Sequence, residues 1–287
     1  MNKFLVNILN LKLLIYIFEN PSVEKMLSHN RLKYFSSLRN KKFREEYGKF
    51  LAEGEKIVAD FLRFSESNIK IETLLANSAF LKDTCLKNPY PGIEVIEVSD
   101  KELERISSLS TPNKAILVCS KPEFIPDFKK ISGELSVFLE DIRDPGNLGT
   151  ILRTADWFNI RNIFCSPESV DVFNPKVIQS SMGAICRLKV FYLEAGHVIQ
   201  ELRIFNDLTI FGTGLHGKNI YQENLNDAGL IILGNESRGI SDKLKEKIDI
   251  MLTIPSFVKG KEGSESLNIA SAASVVFSEF KRRTYSK

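Results

Sequence analysis

The sequence predicts an α/β protein whose second half is built on a parallel sheet. Three observations carry this. Apolar strand-like runs alternate with helical patterns from Leu135 to the end of the chain. One of those runs, LIILG (230–234), has no polar side chain, as expected for a strand covered on both faces. And three segments, DPGNLGTILRTADWF (144–158), LGNESRGIS (233–241) and IPSFVKGKEGSESLNIASAA (254–273), each join the end of an apolar strand to a Gly-rich or polar loop. Loops at the carboxyl ends of parallel strands are where open α/β sheets bind ligands, so the three together predict one composite site.

At 287 residues the chain has room for two modest domains. Residues 1–25 are set apart: FLVNILNLKLLIYIF (4–18) is apolar but interrupted by Asn7, Asn10 and Lys12. It falls short of the roughly 20 residues of a membrane span, and no small-x-small cleavage site follows it. Three readings stay open for it: a start codon assigned too early, an appended helix packing on the body, or a targeting or membrane segment. Residues 26–120 form a small α/β unit. EGEKIVADFLRF (53–64) places Ile57, Val58, Phe61 and Leu62 on one helical face. IETLLAN (71–77), IEVIEVS (93–99) and KAILVCS (114–120) predict strands, and KELERISSL (101–109) a short helix capped by Ser99 or Asp100. KPEFIPDFKKISGE (121–134) is the candidate linker. In 135–287, strands are predicted at 135–141, 162–166, 188–193, 208–214, 230–236 and 248–255, and helices at 147–158, 175–182, 196–205, 241–247 and 267–283.

The net charge of +3 does not by itself call for a nucleic-acid partner, but the local distribution does. Between His29 and Lys49 lie seven Lys/Arg, including Arg39, Lys41, Lys42 and Arg44, with Tyr34, Phe35, Phe43 and Tyr47 interleaved. Such a stretch can track phosphates and stack bases, or it can be a solvated helix with its aromatics turned inward. Cys85, Cys119, Cys165 and Cys186 are widely spaced and show no CxxC, and His29, His197 and His216 form no ligand cluster. This predicts reduced thiols, a cytoplasmic protein, no metal and no membrane partner.

In the first loop, Leu148, Ile151, Leu152, Ala155 and Phe158 make a buried helical stripe, and Arg153 lies off it, free to face a phosphate or carboxylate. Asn159 stands where a left-handed helix-ending residue is expected. In the second loop, Glu236 follows a buried strand, where a carboxylate could take a hydroxyl proton, bind a ribose or, with Asn235 and Ser237, simply cap a helix. Gly234 there would let backbone approach a flat ligand. In the third, Ser266, Leu267 and Asn268 open a long Ala/Ser-rich helix, where unpaired amides point outward. GTGLHG (212–217) satisfies a dinucleotide fingerprint, but the polar dozen residues before the next strand leave no room for its crossover helix. A nucleotide-dependent oxidoreductase is therefore disfavoured.

Loop for loop, residues 135–287 resemble the SpoU (TrmH-type) RNA 2′-O-ribose methyltransferases of the SPOUT superfamily, with the three segments matching that family's three motifs in order. LRNKKFREEYGKFLAEGEKIV (38–58) is similar to the start of the family's ribosomal-protein-like α/β substrate-binding domain. The resemblance implies a parallel-sheet catalytic domain with a C-terminal trefoil knot, S-adenosylmethionine as cofactor, and methyl transfer to a ribose 2′-hydroxyl of rRNA or tRNA, rRNA preferred. It also implies a homodimer formed through the knot region. By motif position it assigns Asn147, Arg153, Glu236, Ser266 and Asn268 to the reactive centre. Thr213, Gly214, Leu233, Gly234, Ile254 and Leu267 fall to the cofactor, and Arg39, Lys41, Lys42 and Arg44 to RNA. The competing expectation is a non-catalytic RNA-binding or ribosome-assembly factor on the same fold.

Overall fold

The computed structural model describes residues 27–64, 69–83, 92–109, 111, 113–258 and 265–285. The expectations for 1–25 and for the path of 259–264 lie outside the described residues. The chain divides into two compact units. One holds the residues up to Pro122 together with Phe173–Gln179, and the other holds Glu123–Val172 and Ser180–Lys287.

In the first unit the basic stretch does not form one helix. Ser28 caps α1 (His29–Ser37), and Asn40 caps α2 (Lys41–Tyr47), which ends at Gly48 in the left-handed region, φ 62°. The turn releases the chain into β1 (Lys49–Glu53), a strand the sequence reading did not identify. There follow α3 (Glu55–Arg63), β2 (Ile71–Ala76), α4 (Ser78–Asp83), β3 (Glu94–Glu97), α5 (Asp100–Ile106) and β4 (Ala115–Ser120). The four helical-face residues predicted from Ile57 to Leu62 are all buried. Ser99 caps α5 with Glu102 as its reciprocal partner, a full capping box. The sheet order is β1-β4-β2-β3, with β4 antiparallel to both neighbours. Phe35, Leu38, Leu75, Ile96, Leu103 and Val118 pack one of its cores.

The second unit begins with a short α6 (Phe128–Ile131), inside the expected linker. Its strands are β5 (Leu135–Leu139), β6 (Asn162–Cys165), β7 (Lys189–Tyr192), β8 (Ile210–Asn219), β9 (Gly229–Leu233) and β10 (Ile250–Thr253). All pairings are parallel, in the order β10-β8-β9-β5-β6-β7. β5 and β9 are buried throughout, as their apolar runs require. Its helices are α7 (Pro145–Trp157), α9 (Ala195–Phe205), α10 (Asp242–Lys245) and α11 (Ile269–Tyr285), while α8 (Pro175–Ser181) falls mostly in the segment that groups with the first unit. Asn159 sits at φ 55°, ending α7 in the left-handed region as expected. GTGLHG is part of β8, and no helix follows it before β9, which removes the dinucleotide fingerprint. Among the described residues, no helix is long and apolar enough to cross a membrane.

Candidate active site

The three loops meet at the carboxyl edge of β5 and β9. After β5 the chain turns through Asp141 at φ 53°, and Asp144 caps α7 by accepting the Asn147 amide at 2.8 Å. Asn147 thus stands in the first turn of a 13-residue helix anchored by buried Leu148, Ile151, Leu152 and Ala155.

The second loop is a closed turn. The Asn235 amide donates to the Gly239 carbonyl at 3.1 Å and the Gly239 amide to the Asn235 carbonyl at 2.8 Å. The Asn235 side chain accepts from the Ser237 and Arg238 amides at 2.9 and 3.1 Å. That closure presents Glu236 at the exposed tip. Asn147 Nδ2 donates to Glu236 Oε1 at 3.0 Å, and Asn268 Nδ2 donates to Asn147 Oδ1 at 3.0 Å. Asn268 is itself fixed, because its Oδ1 accepts the Ala270 amide of α11 at 2.9 Å. One residue from each motif therefore joins a single hydrogen-bonded chain, Glu236–Asn147–Asn268.

Beside that chain, Asp141 Oδ1 accepts from Arg143 Nε at 2.8 Å, and its other oxygen takes Arg238 Nη2. Asn235 Nδ2 donates to the Asp141 carbonyl at 2.8 Å, locking the first loop to the second. The hydrogen bond from Arg143, then the charges of Arg143 and Arg238, hold the Asp141 carboxyl below the usual range. Arg143, Asp144, Asn147, Glu236 and Arg238 line an open cleft of about 610 Å³. Asp141, Arg143 and Arg238 escaped the sequence reading; the available signal was their charge within two residues of strand ends and turn tips.

Arg153 is exposed on α7, its side chain makes no hydrogen bond or ion pair among the described residues, and it does not line this cleft. It borders a second hollow of about 690 Å³ with Thr154, Trp157, Tyr221 and Glu279. Ser266 is exposed at the foot of α11 and makes no described bond to the Asn147 chain. Thr213 Oγ1 donates to the Ile232 carbonyl at 3.1 Å. Gly214 lies in a stretch of β8 that leaves the β10 register between Gly212 and Lys218. Thr253 Oγ1 donates to the Leu215 carbonyl at 3.1 Å, holding that excursion against β10. Leu233 is buried, Ile254 half-buried and Leu267 exposed.

Two expectations need correction. A Cβ on Gly234 would lie 2.3 Å from Gly239 C and Ile240 N, so this glycine is required by its own turn and is not an opening left for a flat ligand. Arg44 is not an exposed RNA contact: it is buried, and its Nη1 donates to the carbonyls of Leu38 and Arg39 at 3.3 and 2.7 Å. Lys41 and Lys42 are exposed; Arg39 is exposed too, though its guanidinium donates to the Ser36 and Ser107 carbonyls at 3.0 and 3.1 Å. Among the described residues, no group of three or more His, Cys, Asp or Glu is placed to hold a metal ion.

Residues 134–278 match the SpoU rRNA Methylase family model, and residues 29–117 match the MRM3-like substrate binding domain. The chain is 29% identical over 254 residues to the 23S rRNA (guanosine(2553)-2′-O)-methyltransferase RlmP of Bacillus subtilis, covering 86% of this chain and 94% of that one. A Porphyromonas gingivalis structure assigned to the TrmH family of RNA methyltransferases superposes with a TM-score of 0.78 at 35% identity, covering 90% of this chain and 99% of the other. The AdoMet-bound rRNA methyltransferase of Sinorhizobium meliloti gives a TM-score of 0.78 at 27% identity, covering 91% and 98%. With its catalytic unit matched from Glu134 to Ser278 and three motif loops joined at one sheet edge, this chain belongs to the SpoU rRNA methylase family.

Proposed function

We propose that this chain transfers a methyl group from S-adenosylmethionine to a ribose 2′-hydroxyl of ribosomal RNA, as a cytoplasmic homodimer. The observation that carries this is the Glu236–Asn147–Asn268 chain, which joins the three motif loops beside the cleft. The relatives support the finer reading: RlmP is named for 2′-O-methylation of 23S rRNA, and the S. meliloti protein holds AdoMet.

The residues suit the cofactor. An adenosyl group asks for backbone hydrogen-bonding groups and apolar cover. The β8 excursion offers exposed backbone at Gly214, and Leu215 and Leu267 leave apolar side chains 64% and 53% exposed. Thr213, Gly214, Leu233, Gly234, Ile254 and Leu267 would hold it, Gly234 through backbone alone. S-adenosylmethionine, when bound, supplies an electrophilic methyl group on a sulfonium.

The chain's own residues then have to orient the ribose and receive its proton. Asn147 occupies Oε1 of Glu236 and so orients the carboxylate beside the cleft that Glu236 lines. A guanidinium does not give up its proton at neutral pH, so Arg153 grips a phosphate or stabilises developing oxyanion charge. Its position on the second hollow suits a role toward a second copy of the chain, with Trp157 and Tyr221, 84% and 42% exposed, as the apolar part of the shared face. The knot is part of the same proposal. Its support is the order β10-β8-β9, in which β8 lies between the last two strands and the chain crosses it to reach β10. Arg39, Lys41 and Lys42 contact RNA.

The test is calorimetric titration of S-adenosylmethionine, followed by labelled methyl transfer to rRNA lacking its own modifications and nucleoside analysis of the product. Tight binding and a 2′-O-methyl nucleoside are expected. Glu236→Gln should bind cofactor normally and lose about 10²-fold or more in kcat. Binding of RNA without cofactor affinity would favour an assembly factor, and a base-methylated product would overturn the ribose assignment.

A further inference from the structure

We propose that α1 and α2 carry a stacking platform for unpaired RNA bases, made of Phe43, Tyr47 and Tyr34. The inference rests on the reading of this chain as an RNA methyltransferase and identifies which feature of RNA its first unit grips.

The reason lies in an inversion. A short helix normally turns apolar side chains inward and charges outward. In α2, KKFREEY, the buried side chain is Arg44, whose guanidinium closes the carbonyls that end α1. Phe43 is half-buried and Tyr47 is 40% exposed. The core beneath is filled by Phe35 and Leu38 with Tyr34 packed against it, and it does not draw on Phe43 or Tyr47. The two outer rings lie near parallel, 13° apart with centroids at 6.1 Å, and Tyr34 of α1 meets Tyr47 edge-on at 5.1 Å. Cations lie over two of the rings: Lys42 Nζ is 5.8 Å from the Phe43 centroid and Lys49 Nζ 6.0 Å from that of Tyr34. Lys49 is tied to Glu72 at 2.5 Å and Lys41 pairs with Glu45 at 3.6 Å, while Lys33 and Lys42 point exposed charge at solvent.

One exposed and two half-buried rings beside lysines fit a nucleic-acid strand whose bases are free to leave their stack. Base stacking on an aromatic ring tolerates any sequence, and the lysines take the phosphates. Duplex RNA would use the lysines alone, since its bases are already stacked. The platform thus selects a loop, bulge or melted strand.

The experiment measures binding of the full chain to a labelled single-stranded oligouridylate of about ten nucleotides, and to an abasic ribose-phosphate strand of the same length. The chain should prefer the strand with bases. Tyr47→Ala should weaken oligouridylate binding about tenfold, leave the abasic strand unaffected and leave the salt slope unchanged. Tyr47→Phe should retain affinity. Lys42→Ala should weaken both strands and lower the salt slope by about one. Equal affinity for the two strands, or a Tyr47→Ala loss seen equally on the abasic strand, overturns the platform. Photocrosslinking with 5-bromouridine gives a second reading: adducts on Tyr34, Phe43 or Tyr47 are expected, and adducts confined to other residues overturn it. Calorimetric S-adenosylmethionine binding by the same preparations keeps the two questions apart. Its loss in the wild type would sink the methyltransferase reading without touching the strand comparison, and its retention in Tyr47→Ala shows a folded catalytic unit.

Discussion

Replacing Arg44 with alanine removes a guanidinium whose hydrogen bonds close the Leu38 and Arg39 carbonyls inside the first unit. Hydrogen bonds from charged groups are worth about 1.5–3 kcal/mol, and a stranded buried acceptor costs a similar amount, so Arg44→Ala should lose about 2–4 kcal/mol in denaturant unfolding. RNA affinity per folded molecule should hold, and a selective loss of RNA binding without destabilisation would restore the surface role. Asp141 gives the pH counterpart. Its carboxyl is depressed in the folded protein, so it contributes stability above the ordinary carboxylate value, and that contribution fades as pH falls through the lower, folded value. Asp141→Asn should lower stability at neutral pH and flatten the acid limb of the stability profile; an unchanged acid limb would refute the bridge. Residues of the site were legible unevenly, and the reason is physical. Asn147, Glu236 and Asn268 each follow a strand end or open a helix, which marks them in one dimension. Arg44 shares its charge pattern with its exposed neighbours, and burial of a cation leaves no trace in spacing. Asp141 holds a left-handed backbone that its sequence neighbours do not advertise.

At the level of elements, the second motif loop is a tight turn built on glycine at both ends. Gly234→Val would place a side chain into the backbone of Gly239 and Ile240. The expected outcome is a lower melting temperature and weaker cofactor binding together, measured by scanning calorimetry and cofactor titration on one preparation. A stable, fully folded Gly234→Val protein that only fails to bind S-adenosylmethionine would return this glycine to ligand approach. The apolar strands and the buried stripe of α7 were legible because burial on both faces or one face writes itself as an unbroken or periodic run. β1 was hidden by its length, five residues between a glycine turn and a helix. β8 runs past its expected end because the residues after Gly212 re-pair with β10 at Lys218 and Asn219, a register that depends on a distant partner.

For the molecule as a whole, alternation of strands and helices was enough to read a parallel sheet, but the order of strands depends on long-range pairing. The interleaving of Phe173–Gln179 with the first unit was equally invisible, since a segment's unit is set by its contacts and not by its place in the chain. Trp157→Asp, at the rim of the hollow between α7 and α11, should give monomers in sedimentation velocity and impair methyl transfer while leaving the fold intact. A dimer that survives this change places the shared face elsewhere.

That tryptophan is the only one among the 287 residues, and it stands 84% exposed. All indole emission from this protein therefore reports a single location. In dilute solution the emission should be red-shifted and freely quenched by acrylamide. As concentration rises, the proposed pairing should move the band to the blue and reduce quenching, with a midpoint at the dissociation constant of the two copies. The protein carries its own optical gauge of assembly, requiring no label and disturbing no residue of the cleft.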